Sequence, residues 1–228
     1  HELRDTLVLD VIRRGKYIVV QLDKGSILIH LGMSGSLRVV SDSEQAKKHD
    51  HVDLLLGNGK VIRYNDARRF GSILWSDDWQ GHKLISSLGV EPLSDEFCGK
   101  YLSDASRGKK TCAKQFIMNG KLVVGVGNIY ANEALFMAGI RPDLSIGKVS
   151  RKRISSLVNA IKLVLAEAIK QGGTTLKDFI GSDGKPGYFQ QQLHVYGRVG
   201  EPCTRCGSVL KEIRQNNRSS VFCSNCQR

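Results

Sequence analysis

The chain has no run of about 18 uninterrupted apolar residues, so none of it is expected to span a membrane. It has no internal repeats and no low-complexity tract, so a solenoid is not expected. Residues 1–5, His-Glu-Leu-Arg-Asp, are charged where a secretory leader would be apolar, so no leader is expected and the setting is a reducing cytoplasm. Two cysteines, Cys98 and Cys112, stand apart from any pattern and are expected to be buried, reduced thiols. Acidic residues are in the minority, 22 Asp and Glu against 34 Lys and Arg, for a formal charge of +12. An excess of that size suits a polyanion, because lysines and arginines that neutralise phosphates release condensed counterions.

The remaining four cysteines are ordered. Cys203-x2-Cys206 and Cys223-x2-Cys226 are two knuckles separated by 16 residues. Each knuckle offers two thiolates from a tight turn, and two knuckles close a tetrahedral site around one Zn²⁺. All four positions are ligands, so the zinc is structural and has no open position for substrate or water. Val209-Leu210 and Val221-Phe222 read as the strands of a hairpin between the knuckles.

The pattern changes along the chain. Tyr17–Val20 and Ile27–His30 are β-branched runs joined through Asp23-Lys24-Gly25, and Val52–Leu56 and Val61–Tyr64 are joined through Gly57-Asn58-Gly59. Ile73-Leu74-Trp75 adds another strand, so the first part reads as a β-sandwich or barrel. The pattern breaks around Gly89–Ser94, a candidate hinge. Beyond it Ile154, Leu157, Val158, Ile161, Leu165 and Ile169 recur at helical spacing until Gly172-Gly173. A shorter helix is expected from Asn128, as N-cap, to Ala138, with Gly139 as the stop. Gly125-Val126-Gly127 opens that helix, and glycines there let a phosphate approach the helix N-terminus.

Several motifs occur in one order: His30-Leu31-Gly32-Met33-Ser34-Gly35-Ser36, Asp66-Ala67-Arg68-Arg69-Phe70-Gly71, Val123–Tyr130, Gly172-Gly173-Thr174-Thr175, Ser182–Phe189 and Val195-Tyr196-Gly197-Arg198, then the two knuckles. Through essentially its whole length the chain resembles the bacterial formamidopyrimidine-DNA glycosylases. The resemblance implies an α+β multidomain fold. Its parts would be an N-terminal β-sandwich over residues 1–90, incomplete because the family's first strand and helix have no counterpart, and a helix–two-turn–helix domain over 91–194. That domain would carry a lesion-capping loop at 181–189, and a zinc finger would occupy 195–228. It implies excision of oxidised purines such as 8-oxoguanine and formamidopyrimidines from double-stranded DNA, with β,δ-elimination at the abasic site. It also implies a monomer in the bacterial cytoplasm at the nucleoid.

Roles carry over residue by residue. Met33, Arg68 and Phe70 match the residues that fill the void left by an extruded base, a task suited to a flexible thioether, a guanidinium and a ring. Lys16 and Lys114 match lysines near the lesion, and Arg218 matches a phosphate-gripping arginine whose planar fork binds two oxygens at once. Asn128, His49 and Lys110 match DNA-backbone contacts, with Lys177 and Tyr196 as further candidates. Ser182, Gly184, Lys185, Gly187 and Tyr188 would form the loop over the flipped base.

One element of the family pattern is missing. The family nucleophile is the secondary amine of an N-terminal proline, which forms an iminium with the sugar. The sequence begins instead with His1-Glu2, at a point about forty residues into the family pattern. It is therefore read as part of a complete enzyme, and the 228 residues alone are expected to be catalytically inactive. Two other readings stand beside this one, an endonuclease VIII-like enzyme for oxidised pyrimidines and a non-catalytic module that binds damaged DNA.

Overall fold

The computed structural model describes residues 3–172 and 193–228. The lesion-capping loop with Ser182, Gly184, Lys185, Gly187 and Tyr188, and Lys177, lie outside the described residues. Two compact units divide between Ser87 and Leu88, the second running to Lys170 and resuming in the C-terminal residues.

The first unit is two antiparallel sheets. β1 (Val8–Arg14), β2 (Tyr17–Leu22), β3 (Gly25–His30) and β7 (Ser72–Ser76) pair in the order β1-β2-β3-β7. β4 (Ser36–Ser41), β5 (Asp50–Leu55) and β6 (Lys60–Asn65) pair in the order β4-β6-β5. Both turn-rich hairpins read from the sequence are present, Leu22 facing Gly25 and Leu55 facing Val61. Val20, Leu22, Ile27 and Ile29 of the larger sheet pack with Leu37 and Leu54 of the smaller one, so the apolar faces meet as a sandwich. Each such side chain contributes roughly 2 kcal/mol by leaving water, and this burial, not charge pairing, carries the unit.

A buried carboxylate fixes the edge of this sandwich. Asp66, fully enclosed, accepts from Ser34 Oγ (2.6 Å), Tyr64 OH (2.9 Å), Gly71 N (2.9 Å) and Arg68 N (3.3 Å). Burial alone would raise its pKa, but four donors to the charged form outweigh that and hold it at about 2. Loss of solvent, and then the contact with Asp66, push the Tyr64 hydroxyl up to about 12.

The second unit is helical with a C-terminal hairpin. It contains α2 (Gly99–Ser106), α3 (Ala113–Ile117), α4 (Asn128–Met137), α5 (Arg151–Lys170) and the antiparallel pair β8 (Lys211–Gln215) and β9 (Arg218–Phe222); α1 (Lys83–Ser86) belongs to the first unit. α5 buries Ile154, Leu157, Val158, Ile161, Val164 and Leu165 along one stripe and packs against α2 and α4. α4 differs: six consecutive residues, Ala131–Phe136, are buried, so it runs through the interior instead of lying on it. It ends at Gly139 (φ +67°), where Ile140 N donates to Leu135 O (2.9 Å) and Gly139 N to Phe136 O (3.1 Å). That paired bonding satisfies the Leu135 and Phe136 carbonyls, and the left-handed residue it needs is glycine.

Three local expectations are corrected. Gly127 is the N-cap of α4 and Asn128 its first helical residue, because the extended cap geometry falls on the glycine. Val209 and Leu210 lie before the hairpin strand; Val209 pairs with Pro202 in an isolated bridge that closes the first knuckle. Cys98 is exposed and Cys112 half-buried, although both are free thiols.

The Asp66 lock generates a test. Its carboxyl sits near 2 in the fold against 3.8 when unconstrained, a difference of about 2 kcal/mol. That stabilisation is complete above pH 4 and is lost as pH falls toward 2. Asp66→Asn is expected to lower the first unit's stability by about 2 kcal/mol at pH 7 and to flatten this acid dependence. Both tryptophans, Trp75 and Trp79, lie in that unit, so their fluorescence during urea unfolding reads it. An unchanged midpoint would contradict the account.

Candidate nucleic-acid interface

In the first unit, two loops are held together and present three side chains to solvent. Gly32 (φ +65°) lies so close to the chain at Phe70–Gly71 that a Cβ would stand 2.6 Å from the Phe70 carbonyl carbon. Only glycine allows that approach. Ser34 Oγ bonds both Asp66 and, at 3.2 Å, the amide of Arg68, so the two loops share one buried anchor. From this rigid base Met33 and Phe70 project, 62% and 59% exposed, and the Arg68 guanidinium lies 5.2 Å from the Phe70 ring centroid. A thioether, a ring and a cation held in water by a buried network have no packing role there. The three residues matched from sequence to void filling are thus brought together.

Lys16 is exposed on the β1–β2 turn. Burial, and then the charge of Lys16, depress the pKa of His30, whose Nδ1 accepts from Gly32 N (3.1 Å). His30 therefore stays neutral and supports the Gly32 turn. His49 is half-buried with φ +73°, and its carbonyl accepts from Asp66 N (3.0 Å). Its described role is to hold the Asp66 segment.

In the second unit, the four cysteine sulfurs lie within 4.8 Å of one another, with Cys203–Cys226 at 3.9 Å and Cys206–Cys223 at 3.5 Å. Sulfurs about 2.3 Å from a tetrahedral zinc stand about 3.8 Å apart, so the four thiolates fit one Zn²⁺ and nothing else in its shell. The finger is bolted to α4. Arg205 stacks 4.5 Å over Phe136 and donates to the carbonyls of Phe136 (3.2 Å) and Met137 (3.3 Å) at the helix's negative end. Gln227, 1% exposed, accepts from Cys223 N (2.9 Å) and donates to Ile140 O (2.8 Å).

Two polar residues on α4 were not read from the sequence. Asn132 Oδ1 accepts from Val221 N (2.8 Å) on β9. The Glu133 carboxylate accepts from the backbone amides of His194 (2.8 Å), Val195 (3.0 Å) and Tyr196 (2.8 Å). Tyr196, a sequence candidate, is therefore anchored through its backbone. Buried polar groups must find partners, but no local pattern in the sequence marks Asn132 and Glu133 as buried.

Lys114 and Arg218 occupy the two sides of one feature. Lys114 is 1% exposed, with Nζ donating to the Ser219 carbonyl and to Ser220 Oγ (2.7 Å). Burial, and then the nearby Arg218 charge, lower its pKa to about 8. Arg218 is exposed at the start of β9. A recess of about 290 Å³ beside it is lined by Lys114, Gln115, Met118, Gln215, Asn216 and Arg218. Asn128 stands at the α4 N-terminus; its carbonyl accepts from Asn132 Nδ2 (2.7 Å), while its own buried Oδ1 has no partner among the described residues. Gly127 caps this helix without a side-chain bond, and a helix N-terminus beside a polar amide is a setting that favours an anion. Lys110 is exposed on the loop before α3. Among the described residues no helix is long and apolar enough to cross a membrane.

Three family models match the chain in order. They are the formamidopyrimidine-DNA glycosylase N-terminal domain over residues 1–73, the formamidopyrimidine-DNA glycosylase H2TH domain over 88–180, and a zinc finger found in FPG and IleRS over 200–228. The formamidopyrimidine-DNA glycosylase of Marinobacter nauticus is 58% identical over 96% of this chain and 81% of its own length. A solved complex between the Lactococcus lactis Fpg and DNA containing an abasic site superposes with a TM-score of 0.89 at 31% identity, covering 98% of this chain and 83% of that one. MutM in complex with carbocyclic 8-oxo-G containing DNA gives 0.89 at 32%, covering 100% and 84%.

The four-sulfur geometry yields a test of the second unit. Removing zinc leaves four thiolates without a partner, and the finger loses the bonds that shape it. Chelation is expected to abolish DNA binding while α5 helicity, read by far-ultraviolet circular dichroism, persists. Full binding by protein shown to be zinc-free would contradict this.

Proposed function

We propose, from the premise that this chain belongs to the formamidopyrimidine-DNA glycosylase family, that it serves base-excision repair of oxidised purines such as 8-oxoguanine and formamidopyrimidines in double-stranded DNA. The observation that carries the reading is the exposed Met33–Arg68–Phe70 group on its buried Asp66 anchor. An enzyme that extrudes a base must fill the vacated stack, and a thioether, a ring and a guanidinium supply apolar volume, stacking and donors for the orphaned partner base.

The family's chemistry assigns the remaining roles. In the complete enzyme a proline secondary amine attacks the sugar, and the iminium that forms acts as the electron sink for β,δ-elimination at the abasic site. Lys16 supplies positive charge and a proton donor near the reacting sugar. Arg218 grips a phosphate in a forked contact, and Lys114 supports it from beneath the hairpin. Asn128 with the α4 N-terminus takes a second phosphate, and Lys110 and His49 add backbone contacts. The resemblance assigns Lys177 and Tyr196 to DNA contact and the loop at 181–189 to the flipped base. The partition into 1–90, 91–194 and 195–228 puts the void-filling residues on the first part, Asn128 with lesion capping on the second, and Arg218 on the finger. The protein acts as a monomer in the bacterial cytoplasm. The endonuclease VIII-like alternative is less well supported, since the Met33 turn and the Arg68-Arg69-Phe70 run fit the purine branch.

Binding by the 228-residue polypeptide to four duplexes tests this, carrying 8-oxoguanine, thymine glycol, a tetrahydrofuran abasic analogue or no lesion. The 8-oxoguanine and abasic duplexes are expected to bind most tightly. Phe70→Ala is expected to lower those affinities about tenfold, the scale of one lost base–aromatic stack, with thermal unfolding unchanged. Equal affinity for all four duplexes, or no effect of Phe70→Ala, would contradict the reading.

A further inference from the structure

The β8–β9 hairpin ends in a two-residue turn, Asn216 and Asn217, with φ of +47° and +59° between the paired Gln215 and Arg218. Both turn residues in the left-handed region give the tight hairpin turn that matches strand twist, and asparagine tolerates it. The turn sets the register of Arg218 but not the direction in which the tip points. A two-stranded ribbon is by itself weakly stable and free to twist.

Gln215 supplies what the turn does not. Its Oε1 accepts from Ser220 Oγ (2.8 Å), and its Nε2 donates to Cys112 Sγ (3.0 Å) and Pro142 O (3.3 Å). Ser220 Oγ itself accepts from Lys114 Nζ (2.7 Å). The chain runs one way, from ammonium to hydroxyl to amide oxygen, and from amide nitrogen to thiol and carbonyl. Rotating the amide by a half-turn would set its NH₂ against the donating hydroxyl and its oxygen against a carbonyl, so the network fixes the side chain. Its anchors lie on separate segments, Cys112 at the cap of α3 and Pro142 in the turn after α4. A single side chain therefore ties the tip to two places on the helical body.

We propose that Gln215 is a positioning residue for DNA binding, which through its bonds to Cys112, Pro142 and Ser220 aims the Asn216–Asn217 turn and holds Arg218 where it meets a phosphate. This rests on the reading of Arg218 as a phosphate-gripping residue. Gln215 touches no DNA in this account; it acts through Arg218 and the recess they share.

A double-mutant cycle on zinc-loaded protein tests it, with a tetrahydrofuran-containing duplex titrated over a range of salt. Gln215→Ala is expected to weaken binding about tenfold and to lower the salt slope by about one, as the loss of one phosphate contact does. Arg218→Ala is expected to do the same, and the double variant to bind no more weakly than Arg218→Ala alone. Zinc stays at one per chain. Gln215→Met, which keeps the volume without the hydrogen bonds, is expected to reproduce the effect and decides the matter if the alanine variant loses zinc. Parental affinity and slope in Gln215→Met, or a double variant whose losses multiply, would overturn the positioning role alone. Parental binding by Arg218→Ala would overturn the phosphate-grip reading and this inference with it.

Discussion

Three consecutive backbone amides, those of His194, Val195 and Tyr196, converge on one carboxylate, that of Glu133, in the middle of a buried helix. Glu133 is 2% exposed, and a carboxylate in that position is tolerated only when donors replace its water. Charge-assisted bonds of this kind are roughly twice as strong as neutral ones. They also satisfy the buried amide of Val195, which would otherwise lack a partner. The returning chain is thereby held to α4 just before the first knuckle, and the finger is built from a fixed starting point. Asn132, one residue earlier, takes the amide of Val221 on β9, so one turn of helix fixes both the entrance and the far strand of the finger.

Everything proposed for the second unit depends on this attachment. Zinc shapes the knuckles, but α4 decides where they stand, through Asn132 and Glu133 midway and Arg205 and Gln227 at its C-terminal end. The exposed ion pairs nearby count for little by comparison. Lys100–Asp104 at 2.8 Å is exposed on both sides, where water screens the attraction and ordering two side chains costs entropy. The first unit repeats the device with Asp66, whose buried carboxylate organises the loops bearing Met33 and Phe70. In both units an acidic residue of a basic protein is spent on holding backbone. That leaves the exposed cations available to phosphate.

What could be read from the sequence was whatever has a local signature. Cysteine spacing gave the zinc site, glycine-containing turns between β-branched runs gave two hairpins, and the stripe from Ile154 to Leu165 gave α5. The sandwich, the helical unit and the finger follow from these and from the family resemblance. What was missed depends on contacts distant in sequence. α4 is buried on every side, so it has no stripe to betray its depth. Glu133 reaches amides about sixty residues away, and nothing in Asn-Glu-Ala-Leu announces that. Cys112 was expected in the interior and is half-buried; its sulfur accepts from Gln215, 103 residues further on, a contact no local pattern could show. The cap of α4 fell one residue early for a local reason, as glycine takes the extended cap conformation as readily as asparagine.

Amide hydrogen exchange at His194, Val195 and Tyr196 measures the central attachment most directly. If Glu133 holds these amides, they exchange as slowly as the interior of α4, and Glu133→Gln, which keeps the shape but removes the charge, speeds all three together while Phe136 stays protected. Rapid exchange at the three amides in the parent protein, beside a protected α4, would contradict the account.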